Sequence, residues 1–207
     1  IVFVGRLGWH KGVDVLIRAL AELRREGIGA RLVVVGAGPE EEHLRALARD
    51  LGMREALQWL GWLPHGEVSR VLADCDLLVL PSRRVPGLQE QFGHVLIEAM
   101  AVGLPVVGSS CGAIPEVIGR GDYVFPEGDA QALARVLRRL LTDPRAYEEA
   151  SRYCSDRVKR FTNDSVAARM VEVWRDLVPG APPATSNRPP VAELKPNLGG
   201  SYEDLSR

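Results

Sequence analysis

The fold class this sequence predicts is α/β: a doubly wound, Rossmann-like parallel sheet of about six strands with helices on both faces, followed by C-terminal helices and a tail. Three observations carry that prediction. Short β-branched runs alternate with amphipathic segments of helix length. Some runs, RLVVVG (31–36) above all, are apolar almost throughout, as expected of strands covered on both faces. Glycines and prolines punctuate the boundaries between the two kinds of segment.

The elements follow in order. IVFVG (1–5) reads as the first strand, and VDVLIRALAELRRE (13–26) as a helix with Val15, Leu16, Ala19, Leu20 and Leu23 on one stripe. After RLVVVG, Gly38-Pro39 breaks the chain. EEEHLRALARDLG (40–52) is then a helix whose acidic first turn suits the positive end of its macrodipole. ALQWLG (56–61), DLLVLPS (76–82), PVVGSS (105–110) and DYVFP (122–126) supply four more strands. GEVSRVLADC (66–75) and HVLIEAMAVG (94–103) are helices between them, the second closed by Gly103. Past residue 129 the pattern is helical: AQALARVLRRLLTD, PRAYEEASRYCSDRVKRF and NDSVAARMVEVWRDLV. In the last of these Val166, Met170, Val173, Trp174 and Leu177 form an apolar stripe. Residues 1–178 read as one domain. Residues 179–207, Pro-rich and poor in large apolar residues, read as a flexible tail.

Bulk properties narrow the function. The 207 residues are 46% hydrophobic and 26% charged, a globular composition. A net charge of −1 offers no field that would draw nucleic acid or an anionic membrane. No apolar run approaches the roughly 18 residues needed to span a bilayer. The three cysteines and four histidines are scattered, with no Cys-x-x-Cys pair, which argues against a structural zinc site and weakly for a reducing compartment. The cysteines read as small buried thiols. The chain opens without Met, inside an apolar run and with no signal peptide, and Ile1 reads as a cut end with something missing upstream.

In a doubly wound sheet, ligands bind beyond the carboxyl ends of the strands. Four stretches fall there. GRLGWHKG (5–12) sets Arg6 and Lys11 among glycines, a pattern that suits a diphosphate and equally a tight turn with solvated charges. GAGP (36–39) turns from a strand into a helix. SSCGAIPEVI (109–118) offers a second set of backbone amides toward a phosphate, or a plain loop. EQFGHVLIEAM (90–100) carries Glu90 and Glu98. On one continuous helix these carboxylates would lie about 12 Å apart along the axis, too far to grip one small group. The pattern is better served by a helix that starts near Gly93. Glu90 then lies on the preceding loop and Glu98 in the early turns, with free amides around Gly93 and His94 between them. A phosphate on those amides, with hydroxyls on either side, has the layout of a nucleotide sugar. The plainer alternative is two solvated charges.

Taken together and in this order, VGRLGWHKGVDVLIRAL, LVVVGAGP, VLPS, EQFGHVLIEAMAVGLPVV, GAIPEV and FPEGD resemble the donor-binding, C-terminal domain of GT-B-fold retaining glycosyltransferases of family 4. The resemblance covers about residues 1–178. It implies metal-independent, retaining transfer of a sugar from a nucleotide diphosphate sugar to an acceptor hydroxyl, with no further cofactor. Arg6, Lys11 and Glu90 would be catalytic: the two cations at the diphosphate and leaving group, and Glu90 at the donor sugar. Gly5, Gly36, Phe92, Gly93, His94 and Glu98 would bind donor. The amides of residues 92–94 would cradle phosphate, Glu98 would hold the ribose hydroxyls, and the region after Gly36 would lie near the base. It further implies a carbohydrate-biosynthesis enzyme, cytoplasmic or, when intact, peripheral at the inner face of the membrane, and the excess of Arg over Lys suggests a GC-rich bacterial genome. On this reading the family's N-terminal acceptor domain would be missing, and the isolated chain would bind donor without turnover. With no partner domain, part of the apolar stripe should be exposed or cover the sheet domain instead. The sequence departs from the family pattern at Gln91, in the rather long RRVPGLQE loop, and at Ala113. Two other readings share the fold: a non-catalytic nucleotide-sugar-binding module, and another enzyme such as a nucleotide-sugar epimerase.

Overall fold

The computed structural model describes residues 1–177. The tail expected over 179–207 lies outside them. Six parallel strands form one sheet: β1 (Val2–Val4), β2 (Leu32–Val35), β3 (Leu57–Gly61), β4 (Leu78–Leu80), β5 (Val106–Ser109) and β6 (Val124–Phe125). Their spatial order is β3-β2-β1-β4-β5-β6. The register is regular apart from one irregularity between β2 and β3, at Val34/Val35.

The helices are α1 (Val13–Arg25), α2 (Glu41–Asp50), α3 (His65–Ala73), α4 (His94–Ala101), α5 (Ile114–Ile118), α6 (Ala130–Thr142), α7 (Pro144–Arg157) and α8 (Asn163–Leu177). Right-handed crossovers put α1 and α2 on one face, because β1 to β3 run one way, and α3 to α5 on the other, because β4 to β6 run back. Packing of α6 against α1 and of α7 against α4 completes the two layers. The predicted stripe of α1 is buried at Val15, Leu16, Ala19, Leu20 and Leu23, and every residue of β4 and β5 is buried. Truncating one such residue, Leu78→Ala for instance, costs about 2–5 kcal/mol. Cys111 and Cys154 are buried thiols, and burial pushes Cys154 up to about 11.

The differences from expectation sit at element ends. The fourth strand is shorter than residues 76–82, since Pro81 has no N–H for the ladder and Ser82 already turns away. Residues Gly121–Tyr123 form a 3-10 turn that buries Tyr123, leaving β6 two residues. The helix expected over 144–161 ends at Arg157 and tightens into a 3-10 turn, Val158–Phe161.

Residues 1–166 make one compact unit, and a second begins at Ala167. The apolar stripe of Val166, Met170, Val173, Trp174 and Leu177 is exposed. Among the described residues no helix is long and apolar enough to cross a membrane.

Candidate functional site

The strand order reverses between β1 and β4, and the crevice at that point lies outside their carboxyl ends. Two loops meet there. The loop after β1 contains a 3-10 turn, Trp9–Lys11, and runs into α1. The loop after β4 runs from Pro81 to Gly93 and enters α4. Between them lies a cleft of about 340 Å³, lined among others by His10, Lys11, Ser82, Arg83, Glu90 and His94.

Lys11 and Glu90 meet directly. Lys11 Nζ donates to Glu90 Oε2 at 2.7 Å, and Ser82 Oγ donates to the same oxygen at 3.0 Å. The two side chains are only 20% and 14% exposed, so the pair is held, not solvated. Glu90 Oε1 has no donor among the described residues, which leaves it free to accept from a ligand hydroxyl. Lys11 is therefore engaged by a carboxylate in this structure.

Glu90 is fixed through its backbone. Its carbonyl accepts from the Ala113 amide at 3.0 Å. Gly112 lies so close beneath it, with φ of +56°, that an added Cβ would stand 2.0 Å from that carbonyl oxygen. This bears on the two readings of the 109–118 stretch. The amides of the 109–118 stretch do not all face a ligand: Ala113 is spent on Glu90, and Ile114 donates to Cys111. The loop before Glu90 is tied at other points. Buried Ser109 donates from its hydroxyl to the Ser82 carbonyl. The Arg84 amide donates to Glu127 at 2.7 Å. Val85 and Leu88 exchange backbone hydrogen bonds across Pro86-Gly87.

The start of α4 behaves as its sequence implies. Gly93 is the N-cap, with φ of +77° and no side-chain cap, so the first amides of the helix have no intrahelical partner. Phe92 packs edge-on against Phe161 at 5.7 Å and lies 4.9 Å from the His94 ring, which anchors the loop to the 3-10 turn after α7. Glu98 is half-buried and has no hydrogen-bond or ion-pair partner among the described residues. It stands one turn beyond His94 on the same helical face. It does not line the cleft that Lys11 and Glu90 share.

The remaining predicted residues lie at the strand ends. Gly36 backs onto Gly5, and a Cβ on Gly36 would come within 1.9 Å of the Gly5 carbonyl oxygen. Their immediate role is thus close backbone approach between the ends of β1 and β2. Arg6 is exposed and forms no ion pair among the described residues. Its charge reaches His10. Burial holds the His10 imidazole below its ordinary pKa, Lys11 adds to that effect, Glu90 opposes it, and Arg6 lowers it further. Among the described residues no group of three or more His, Cys, Asp or Glu is arranged to hold a metal.

Sequence reasoning missed Ser82, Arg83 and Asp14. Arg83 lies over the Trp9 ring at 4.0 Å, pairs with Asp14, and gives its backbone amide to the His10 carbonyl at 2.7 Å. Ser82 had a signal, since it ends the VLPS stretch after an apolar strand. Arg83 and Asp14 had none, because their pairing spans 69 positions.

Comparison with known proteins places the chain in a family. Residues 1–159 match the family model for glycosyl transferases group 1. The GDP-mannose-dependent alpha-(1-6)-phosphatidylinositol monomannoside mannosyltransferase of Mycolicibacterium smegmatis is 39% identical over 149 residues, which is 70% of this chain and 39% of that protein. The amylovoran biosynthesis glycosyltransferase AmsK of Erwinia amylovora is 38% identical over 143 residues, 68% of this chain and 35% of its own. Among solved structures, HepE of Anabaena in complex with UDP superposes with a TM-score of 0.70 at 26% identity, covering 84% of this chain and 48% of HepE. The chain thus spans about a third to a half of the length of the relatives it matches. With the family model matched over most of its length, on a sheet whose crevice holds the expected lysine and glutamate, the chain belongs to the glycosyl transferases group 1 family.

Proposed function

We propose that this chain is the donor-binding part of a retaining glycosyltransferase that moves a sugar from a nucleotide diphosphate sugar to an acceptor hydroxyl. The observation that carries this reading is the meeting of a cation, a carboxylate and an uncapped helix N-terminus at the reversal of strand order. Each suits one part of such a donor. The first amides of α4 and the charges of Lys11 and Arg6 suit the diphosphate. Glu90, with one oxygen unengaged, suits hydroxyls of the sugar. Glu98, one turn into α4, suits the ribose hydroxyls, and the turn after Gly36 suits the base.

In the transfer, the acceptor oxygen bonds to the anomeric carbon while the bond from that carbon to the diphosphate breaks. The electron pair stays on the diphosphate, and the acceptor's proton passes to the departing phosphate oxygen. Attack on the face the leaving group vacates keeps the anomeric configuration. Positive groups fixed around the leaving oxygen stabilise its charge without reorganising, which suits a reaction run without a metal ion. Binding first requires that Lys11 exchange Glu90 for phosphate, and Glu90 is then released toward the sugar. UDP in HepE and GDP-mannose in the mycobacterial relative support a nucleotide diphosphate donor and differ in base.

The test is thermal stabilisation by UDP, GDP and ADP, on the wild type and on Glu98→Ala. A ligand that binds only the folded state stabilises by RT ln(1 + [L]/Kd), so weak binding is visible at high ligand. A shift with one nucleotide, lost in Glu98→Ala, is the expected outcome. A shift that survives in Glu98→Ala removes the ribose role, and no shift with any nucleotide removes the donor site.

A further inference from the structure

We infer that Arg83 is a positioning residue for this site: its side chain spans the segment that carries Lys11 and so holds that lysine opposite Glu90. This rests on the donor-binding reading of Lys11. A lysine stem is flexible, and its ammonium has no preferred fork geometry of its own. Where Lys11 points is therefore set by how the loop after β1 sits against the loop after β4. The two loops come from segments far apart in the chain, since Lys11 and Glu90 are separated by 79 positions.

Arg83 is the side chain that joins them on both flanks of Lys11. Before Lys11, its guanidinium lies over Trp9 at 4.0 Å; after Lys11, it pairs with Asp14 in the first turn of α1. Its backbone amide holds the His10 carbonyl between these two contacts. The Arg83 and Asp14 side chains are 15% and 14% exposed, unlike an ordinary surface pair. Arg83 Nε is buried without an acceptor, a cost that marks a side chain held by packing. With one face on Trp9 and its fork on Asp14, Arg83 is placed to act on a ligand through Lys11. Lysine cannot replace it, since stacking and a directed ion pair together need the planar guanidinium.

The experiment is calorimetric titration of the full chain with UDP, GDP and ADP. It compares wild type, Lys11→Ala, Arg83→Ala, Arg83→Lys, Asp14→Asn and the double variant Lys11→Ala/Arg83→Ala. Arg83→Ala and Asp14→Asn are each expected to weaken the binding nucleotide about fivefold, the scale of coupling between neighbouring residues. Arg83→Lys should not restore it. The double variant should bind no more weakly than Lys11→Ala alone, a result that a general loss of stability would not produce. Additive losses in the double variant would overturn the inference, because Arg83 would then act independently of Lys11. A loss in Lys11→Ala with none in Arg83→Ala or Asp14→Asn sinks the positioning role and leaves the donor site standing. No loss in Lys11→Ala sinks the donor reading and this inference with it. If Arg83→Ala does not fold, Asp14→Asn in the same cycle with Lys11→Ala decides the matter.

Discussion

Two of the concavities on this domain are of similar size and are built differently. One, of about 340 Å³, lies between the loops after β1 and β4. The other, of about 320 Å³, lies between α2 and the edge strand β3, lined by Arg45, Arg49, Arg54 and Trp59. In each an arginine sits over a tryptophan and pairs with a carboxylate: Arg83 over Trp9 with Asp14, and Arg45 over Trp59 at 4.6 Å with Glu41. The Arg45 pair is one helical turn apart and 44% and 33% exposed. The Arg83 pair joins two segments and is mostly buried. The lesson is that the same trio of residue types is surface decoration when local. It becomes part of a site when strand order brings two loops together. An exposed i,i+4 pair contributes a few tenths of a kcal/mol, whereas a pair that fixes one loop against another also fixes everything those loops carry.

The sharpest way to break the contrast is Gly112→Val. It puts a β-branched residue at φ +56° and its Cβ 2.0 Å from the Glu90 carbonyl. Unfolding in urea should show a loss of about 3 kcal/mol or more, with nucleotide binding gone. A neutral result would mean that the Glu90 loop is not braced from below. Next in size, Ser109→Ala leaves the Ser82 carbonyl without its buried donor and should cost about 1–3 kcal/mol in the same assay.

Lys11→Ala should weaken nucleotide diphosphate binding about tenfold or more, as expected for loss of a charged hydrogen bond, when read by calorimetry. The pH dependence sharpens the picture at His10. Its pKa is lowered in the folded state, chiefly by burial, so the folded protein holds fewer protons there than the unfolded chain. Its contribution to stability is therefore complete above the unfolded value of about 6.5 and is lost as pH falls through that value toward the lower folded one. A bound diphosphate adds negative charge nearby and draws the pKa back up. Binding should then take up a proton at His10 and gain from it as pH falls through the pKa of the complex toward the lower one of the free protein. Calorimetry in buffers of different ionisation enthalpy measures that uptake, and His10→Gln should abolish its protein component. The smallest effect is expected at the other concavity. Arg45→Ala should leave nucleotide binding unchanged and stability within about 0.5 kcal/mol.

Much of this site was legible because its signals are local. The glycine before an apolar helical run marks where α4 starts, and Gly93 is indeed its N-cap. Lys11 stood out as a cation after a strand, and Glu90 as a carboxylate just before that helix. The 109–118 stretch left two readings open for a reason of the same kind. A glycine after a strand looks alike whether its neighbours' amides face a ligand or, as at Ala113, a carbonyl of an adjacent loop.

The residues alone determined the parallel doubly wound fold, the order of its elements and the start of α4, since periodicity, capping and turn preferences act over a few residues. Only the tertiary structure decided that Lys11 grips Glu90, that Gly112 and Ala113 brace Glu90 from beneath, and that Arg83 spans the lysine's segment. Those contacts depend on β1 lying beside β4, a consequence of burying both faces of the sheet through right-handed crossovers. No spacing within the sequence encodes that neighbourhood.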